Sequence, residues 1–287
     1  SALARERKKM KKFTLLLVLF FVTIHLVSLS GCAKENAAGR ETVSFIPSSF
    51  LNSQSLSIFA SEKQKNPISQ DARQTAITQR VANRLIAQAQ QHYGKYCRGF
   101  QWEVVLFDKP KVQNAYCMPG GKIGIYSGIL PVCKTEAALA AVIGHEMAHA
   151  LLNHGAERVS QQIGTAVLLL GTDKVMKNKD VDSSKRKKIM VALGLGAQFG
   201  LVLPYSRQHE HEADKMGVQL MALAGYSPSE APNLWRRMQG GGGVKLPEFF
   251  STHPSSAKRV RRLEQLQQEV APLYSQAASK YGLGEAL

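Results

Sequence analysis

Apolar residues recur at helical spacing through much of the chain, and two short runs have the character of strands. Between Asp71 and Tyr96 the positions Ile77, Val81, Leu85 and Ile86 predict a first helix. "WEVVLFD" (Trp102 to Asp108) and "KIGIYSGIL" (Lys122 to Leu130) read as strands on either side of "NAYCMPGGK", whose Pro119-Gly120-Gly121 is a turn. Thr135 is an N-cap for the helix "EAALAAVIGHEMAHALLNH", with Leu139, Val142, Ile143 and Leu152 on its apolar face and Gly155 as its stop. A further helix runs from Ser206 to Tyr226 and closes at Gly225, and Ser227-Pro228 begins another. The last one, from Pro254 to about Tyr274, is basic and amphipathic and breaks near Pro272. No repeat of fixed period is visible, and the fold class is α+β, mainly helical, with a small sheet beside the central helix.

Three segments stand outside this pattern. Ile163 to Gly171 and Ile189 to Leu203 are apolar, with the basic run Lys185 to Lys188 between them. Each falls short of the roughly 20 residues that cross a bilayer, so they read as a helical hairpin packed on the body, with a membrane-facing lid as the alternative. Gly240 to Gly243 is a loop. The third segment is the N-terminus, where a lysine cluster, an apolar run from Phe13 to Leu29 and "LSGC" follow one another in the order of a lipoprotein signal. On that reading residues 1–31 are a signal peptide, 1–9 an extension upstream of Met10, Cys32 the lipidated residue, 32–70 a polar tether and 71–287 the functional domain. The protein is then lipid-anchored in a bacterial envelope and faces the periplasm, and Ala33 after Cys32 favours the outer membrane. An uncleaved anchor is the competing reading.

Charge changes the picture little. The formal net charge is +16; residues 1–31 hold six basic and one acidic side chain, which leaves +11 for the rest. That excess suits an anionic lipid surface, and no aromatic-basic alternation of a nucleic-acid binder accompanies it. Cys97, Cys117 and Cys133 lie in a compartment that oxidises thiols, so one disulfide with one thiol left over is expected.

The chemistry concentrates in "GHEMAHALLNHGAER". An α-helix turns once in 3.6 residues, so His145 and His149 share a face and can share one metal ion, with Glu146 placed to take a proton from a water on it. A third ligand is needed from a separate element. Glu210 fits, with Asp214 one turn further on, where a carboxylate can orient a ligand histidine. Glu212 is a rival that points to nearly the opposite side, and His209 and His211 read as solvated or structural neighbours.

"HEMAH" together with "SRQHEHEAD" resembles the two signature helices of the HtpX-like zinc metallopeptidases, a gluzincin family that includes CAAX prenyl proteases and periplasmic lipoproteins. The family's Ser-Arg-x-x-Glu-x-x-Ala-Asp pattern falls on Ser206, Arg207, Glu210, Ala213 and Asp214 and selects Glu210 over Glu212. "NAYCMPGGKIGIYSGIL" and "STHPSSAKRV" resemble two more of its segments, so the likeness extends from about Asp71 to Leu266. The resemblance implies a zincin-type active-site helix and one Zn²⁺ per chain on His145, His149 and Glu210. It also implies that Lys122 to Ser127 is an edge strand pairing with extended substrate. Glu146 would be the general base and Asp214 would support the site; Arg207 would be either part of that support or a helix-start ion pair, and His253 an oxyanion donor, a fourth ligand that closes the site, or a histidine at a helix start before Pro254 with no part in the chemistry. The implied activity is hydrolysis of unfolded or misassembled envelope proteins, within envelope protein complexes and without nucleic acid. A chaperone or assembly lipoprotein with a largely inactive zinc site is the alternative.

Overall fold

The computed structural model describes residues 33–44, 46–162, 206–240, 249–253, 257–282, 284 and 287. The expected signal peptide with Cys32, the two apolar stretches between 163 and 203, and glycines 241–243 lie outside the described residues. Among the described residues no helix is long and apolar enough to cross a membrane.

An antiparallel hairpin, β1 (Ala33–Glu35) and β2 (Glu41–Val43), opens the described chain and is followed by helix α1 (Ser48–Lys65). The segment read as a polar tether is therefore folded over most of its length. Its sequence hides this because α1 buries only Leu51, Ser55 and Phe59, one residue per turn. Helix α2 (Ala72–Tyr93) starts where expected: the Asp71 carboxylate accepts from the Gln74 amide at 2.9 Å, and Val81 and Leu85 are fully buried.

The sheet has three strands, β3 (Glu103–Phe107), β4 (Ala115–Met118) and β5 (Lys122–Tyr126), in the order β3-β5-β4. β5 is parallel to β3 and antiparallel to β4, so it is the central strand and not the edge strand that the resemblance implied. β4, which "AYCM" did not betray, is an edge, with β3 at the other side. Its residues are buried on both sides and so show no polar alternation. Ala115 and Cys117 join the main core, whereas Tyr116 and Met118 pack with Phe59 of α1 and Phe107 in a smaller one. Gly124 lies opposite Tyr116 in this register, and a Cβ there would sit 2.2 Å from the ring.

After a short helix α3 (Leu130–Cys133), α4 (Glu136–Leu151) runs through the centre of the molecule, and all its side chains except that of Ala141 are buried. The Thr135 hydroxyl accepts from the Ala138 amide at 3.2 Å, as an N-cap should. The helix does not stop at Gly155. It ends at Leu151, Asn153 takes a left-handed φ of 58°, and helical structure resumes from 154 to 162. α5 (Arg207–Leu223), capped by the Ser206 hydroxyl, packs along α4. α6 (Glu230–Gly240), α7 (Phe249–Thr252), α8 (Ala257–Glu269) and α9 (Ala271–Gln276) complete the fold, and the break near Pro272 falls between the last two.

Cys97, Cys117 and Cys133 are all free thiols, which corrects the expected disulfide. Cys117 and Cys133 are buried among aliphatic side chains on β4 and α3, and an even-pairing count says nothing about such placement.

α4 and α5 touch through glycine. A Cβ on Gly217 would lie 2.8 Å from the His145 amide nitrogen and 3.0 Å from the Gly144 carbonyl carbon, atoms that cannot swing aside. Alanine ordinarily favours a helix over glycine by about 1 kcal/mol, but overpacking against backbone costs about 1–3 kcal/mol. Gly217→Ala is therefore expected to destabilise the protein on urea denaturation despite the better helix former.

Candidate metal centre

α4 presents His145 and His149 one turn apart on the same face, α5 brings Glu210 in its first turn, and the chain following α7 brings His253. All four are buried, and one donor atom from each lies within 4.8 Å of the others. His145 Nε2 is 3.1 Å from His149 Nε2 and 3.1 Å from His253 Nδ1. Glu210 Oε1 is 3.0 Å from His253 Nδ1 and 3.5 Å from His149 Nε2. A tetrahedral ion with ligands at about 2.0–2.1 Å needs donors ~3.4 Å apart, so the spacing fits one small cation. His253 is held by its backbone amide on the Phe249 carbonyl at 2.9 Å and by stacking on the Phe249 ring at 4.4 Å.

Around this centre each α4 histidine has a partner on its other ring nitrogen. His145 Nδ1 is 3.1 Å from Asp214 Oδ1, and in the neutral, metal-ligating ring donation there would leave the Nε2 lone pair facing inward. Arg259 of α8 grips Asp214 with two N–H groups at 2.7 and 2.8 Å, reaches Glu210 Oε2 at 2.5 Å and lies 3.7 Å over Trp235. Arg207, expected to support the site, is exposed at the start of α5, and Arg259 occupies that role in space. The "SAKRV" segment contained this residue, but nothing in its spacing tied Arg259 to Asp214.

His149 Nδ1 meets His154 Nδ1 at 2.9 Å, and His154 Nε2 meets Glu212 Oε2 at 3.0 Å. Glu212 thus faces away from the four-donor cluster, as its helical phase required. His209 is buried, stacked on His154 at 4.3 Å and paired with Glu157 at 3.2 Å, so it is a structural neighbour and not a solvated one. The structure brings His145, Glu146, His149, Glu210, Asp214 and His253 together, adds His154 and Arg259, and leaves Arg207 out.

Residues 72–267 match the model of peptidase family M48. The chain belongs to peptidase family M48. The M48 match covers all of α4 and α5 and most of α8, and begins at the first residue of α2. Curated relatives include the mitochondrial metalloendopeptidase OMA1 of Schizosaccharomyces pombe, 38% identical over 169 residues, which are 58% of this chain and 46% of that protein. The OMA1 of Arabidopsis thaliana is 38% identical over 170 residues, 59% of this chain and 32% of its own length. The beta-barrel assembly-enhancing protease of Escherichia coli is 23% identical over 176 residues, 60% of this chain and 36% of that protein. The chain spans less than half the length of these relatives.

The M48 centre is electrically uneven. Burial pushes the Glu146 carboxyl up against the opposing pull of His253 and His145, and its Oε1 is buried without a hydrogen bond. Burial acts the same way on Glu210, but His253 and Arg259 outweigh it and hold that carboxylate well below the usual range. His149 and His154 are pushed down by burial, His154 to about 4, so both are neutral. In His145 burial is overcome by Asp214 and Glu210, which raise it to about 9. Two carboxylates thus depend on one guanidinium. Removing one partner of a buried ion pair costs about 3–5 kcal/mol, and Arg259→Leu is expected to lose that much in urea denaturation.

Proposed function

We propose that the chain is a zinc-dependent endopeptidase held at a bacterial envelope membrane, where it hydrolyses unfolded or misassembled proteins. The observation that carries this reading is the buried set of His145, His149, Glu210 and His253 with the buried carboxyl of Glu146 beside it, its Oε1 3.3 Å from His253 Nε2. Zinc held by His145, His149 and Glu210 would supply Lewis acidity, lowering the pKa of a water to about 7 and polarising a peptide carbonyl. Glu146, raised by burial, takes the proton of the attacking water and delivers it to the leaving amine. Asp214 holds His145 in the ligating tautomer, and Arg259 holds Asp214.

An extended substrate would pair with β4 instead of β5, because β4 is one of the sheet's two edge strands among the described residues and the one that packs on α4. Attachment would come through Cys32, and the net charge would favour an anionic surface. An envelope setting is supported by the likeness to the Escherichia coli beta-barrel assembly-enhancing protease, and a proteolytic role also by that to the mitochondrial metalloendopeptidases.

A second reading is a chaperone or assembly lipoprotein whose zinc site stays closed. The position of His253 favours it: Nδ1 stands among the donors, while Nε2 is 3.3 Å from Glu146 Oε1. In that place His253 would act as a fourth ligand that blocks the water position, and not as an oxyanion donor.

Cleavage of casein by the zinc-loaded full chain tests the proposal. Glu146→Gln is expected to slow it by about 10²–10⁴-fold with one zinc retained, since a general base contributes that much. No cleavage by the wild type under any condition sinks the protease reading. His253→Ala is expected to raise the cleavage rate several-fold with zinc retained, and a loss of cleavage would return His253 to the oxyanion role.

A further inference from the structure

The proposed metal ligands draw on more of the chain than the family match covers. His149 is followed five residues later by His154, which the left-handed Asn153 turns back so that their Nδ1 atoms lie 2.9 Å apart. His154 is fully buried. Its Nε2 is 3.0 Å from Glu212 Oε2, and Glu212 is in turn held from the N-terminal hairpin. Arg40 Nε contacts Glu212 Oε1 at 2.5 Å and Arg40 Nη2 contacts Oε2 at 3.1 Å, while Asn36 Nδ2 donates to Oε2 at 3.0 Å. The same guanidinium forks onto Glu157 at 2.8 and 3.0 Å.

These contacts fix where the protons sit. An ionised carboxylate can only accept, so His154 Nε2–H must donate to Glu212, and a neutral imidazole then offers Nδ1 as an acceptor. His149 must therefore carry its proton on Nδ1 and donate it to His154. That leaves His149 Nε2 bare, the atom that stands among the four donors.

We infer that His154 is a positioning residue that sets the tautomer and ring orientation of His149 for metal, and that the 33–43 hairpin holds it in place through Arg40 and Glu212. The inference rests on His149 being a metal ligand. It makes a segment outside residues 72–267 part of the support of the centre, behind His149 as Asp214 and Arg259 stand behind His145.

The test is zinc affinity of the purified full chain by competition with a chelator, with the absorption spectrum of the cobalt-loaded protein as a second reading. His154→Leu and His154→Asn are near in size, but the Asn side-chain oxygen can still accept from His149 Nδ1. Loss of such an outer partner weakens metal binding by about 10–100-fold, so His154→Leu is expected to fall by that factor and His154→Asn to recover most of it. The cobalt spectrum is expected to change in His154→Leu and to stay near wild type in His154→Asn. Arg40→Met, at a partly exposed site, is expected to weaken zinc several-fold while the fold is retained by circular dichroism. Equal affinity in wild type and His154→Leu overturns the inference, as does an equal loss in Leu and Asn, which would mean packing alone. If His154→Leu does not fold, Arg40→Met decides: wild-type affinity there overturns the chain from the hairpin to His149. Unchanged zinc binding in His149→Ala overturns the premise instead, and with it the metal reading, which separates the two failures.

Discussion

The backbone contact between Gly144 and Gly217 governs the centre. His145 follows Gly144 directly, and Glu210 and Asp214 sit within two turns of Gly217, so the distance between the helices sets the distance between donors. A side chain at Gly217 would press on the backbone of α4 at 2.8 Å and shift the two helices against each other, in a site where about half an ångström matters. The remaining fold braces this crossing. The sheet lies on one side of α4 and α2 on another, and α8 closes over α5 with the guanidinium of Arg259 wedged between two carboxylates and an indole ring.

Much of the centre was legible in the sequence because helical phase is a local rule. A spacing of four residues put His145 beside His149 and Glu210 beside Asp214, and the same rule turned Glu212 away. What could not be read lay across the fold. Arg259 reaches His145 over 114 positions, and its own neighbours in sequence carry no sign of the contact. His154 was in view from the start, but a left-handed Asn153 decided its direction, and helix periodicity carried through that point would have aimed it elsewhere. β4 was missed for a different reason: a strand buried on both faces loses the alternation by which strands are recognised.

The N-terminal region shows how composition can mislead. Residues 33–65 are polar enough to pass for a tether, yet side chains within them anchor the segment to the body. Phe59 fills the smaller core against Phe107 and Tyr116, with ring centroids 6.3 Å away in each case, and Arg40 binds two carboxylates from different helical segments. A few well-placed anchors hold a segment whose average hydropathy argues for none.

The donors of the centre are spread widely along the chain, with His145 and His253 separated by 108 positions. Closing loops of that length is entropically costly and tends to come late in folding. A polypeptide made from its N-terminus therefore has both α4 histidines well before His253 and Arg259 exist to complete and neutralise their surroundings. The four-donor set waits for His253, so a molecule halted before that residue cannot carry a finished centre past the proteins around it.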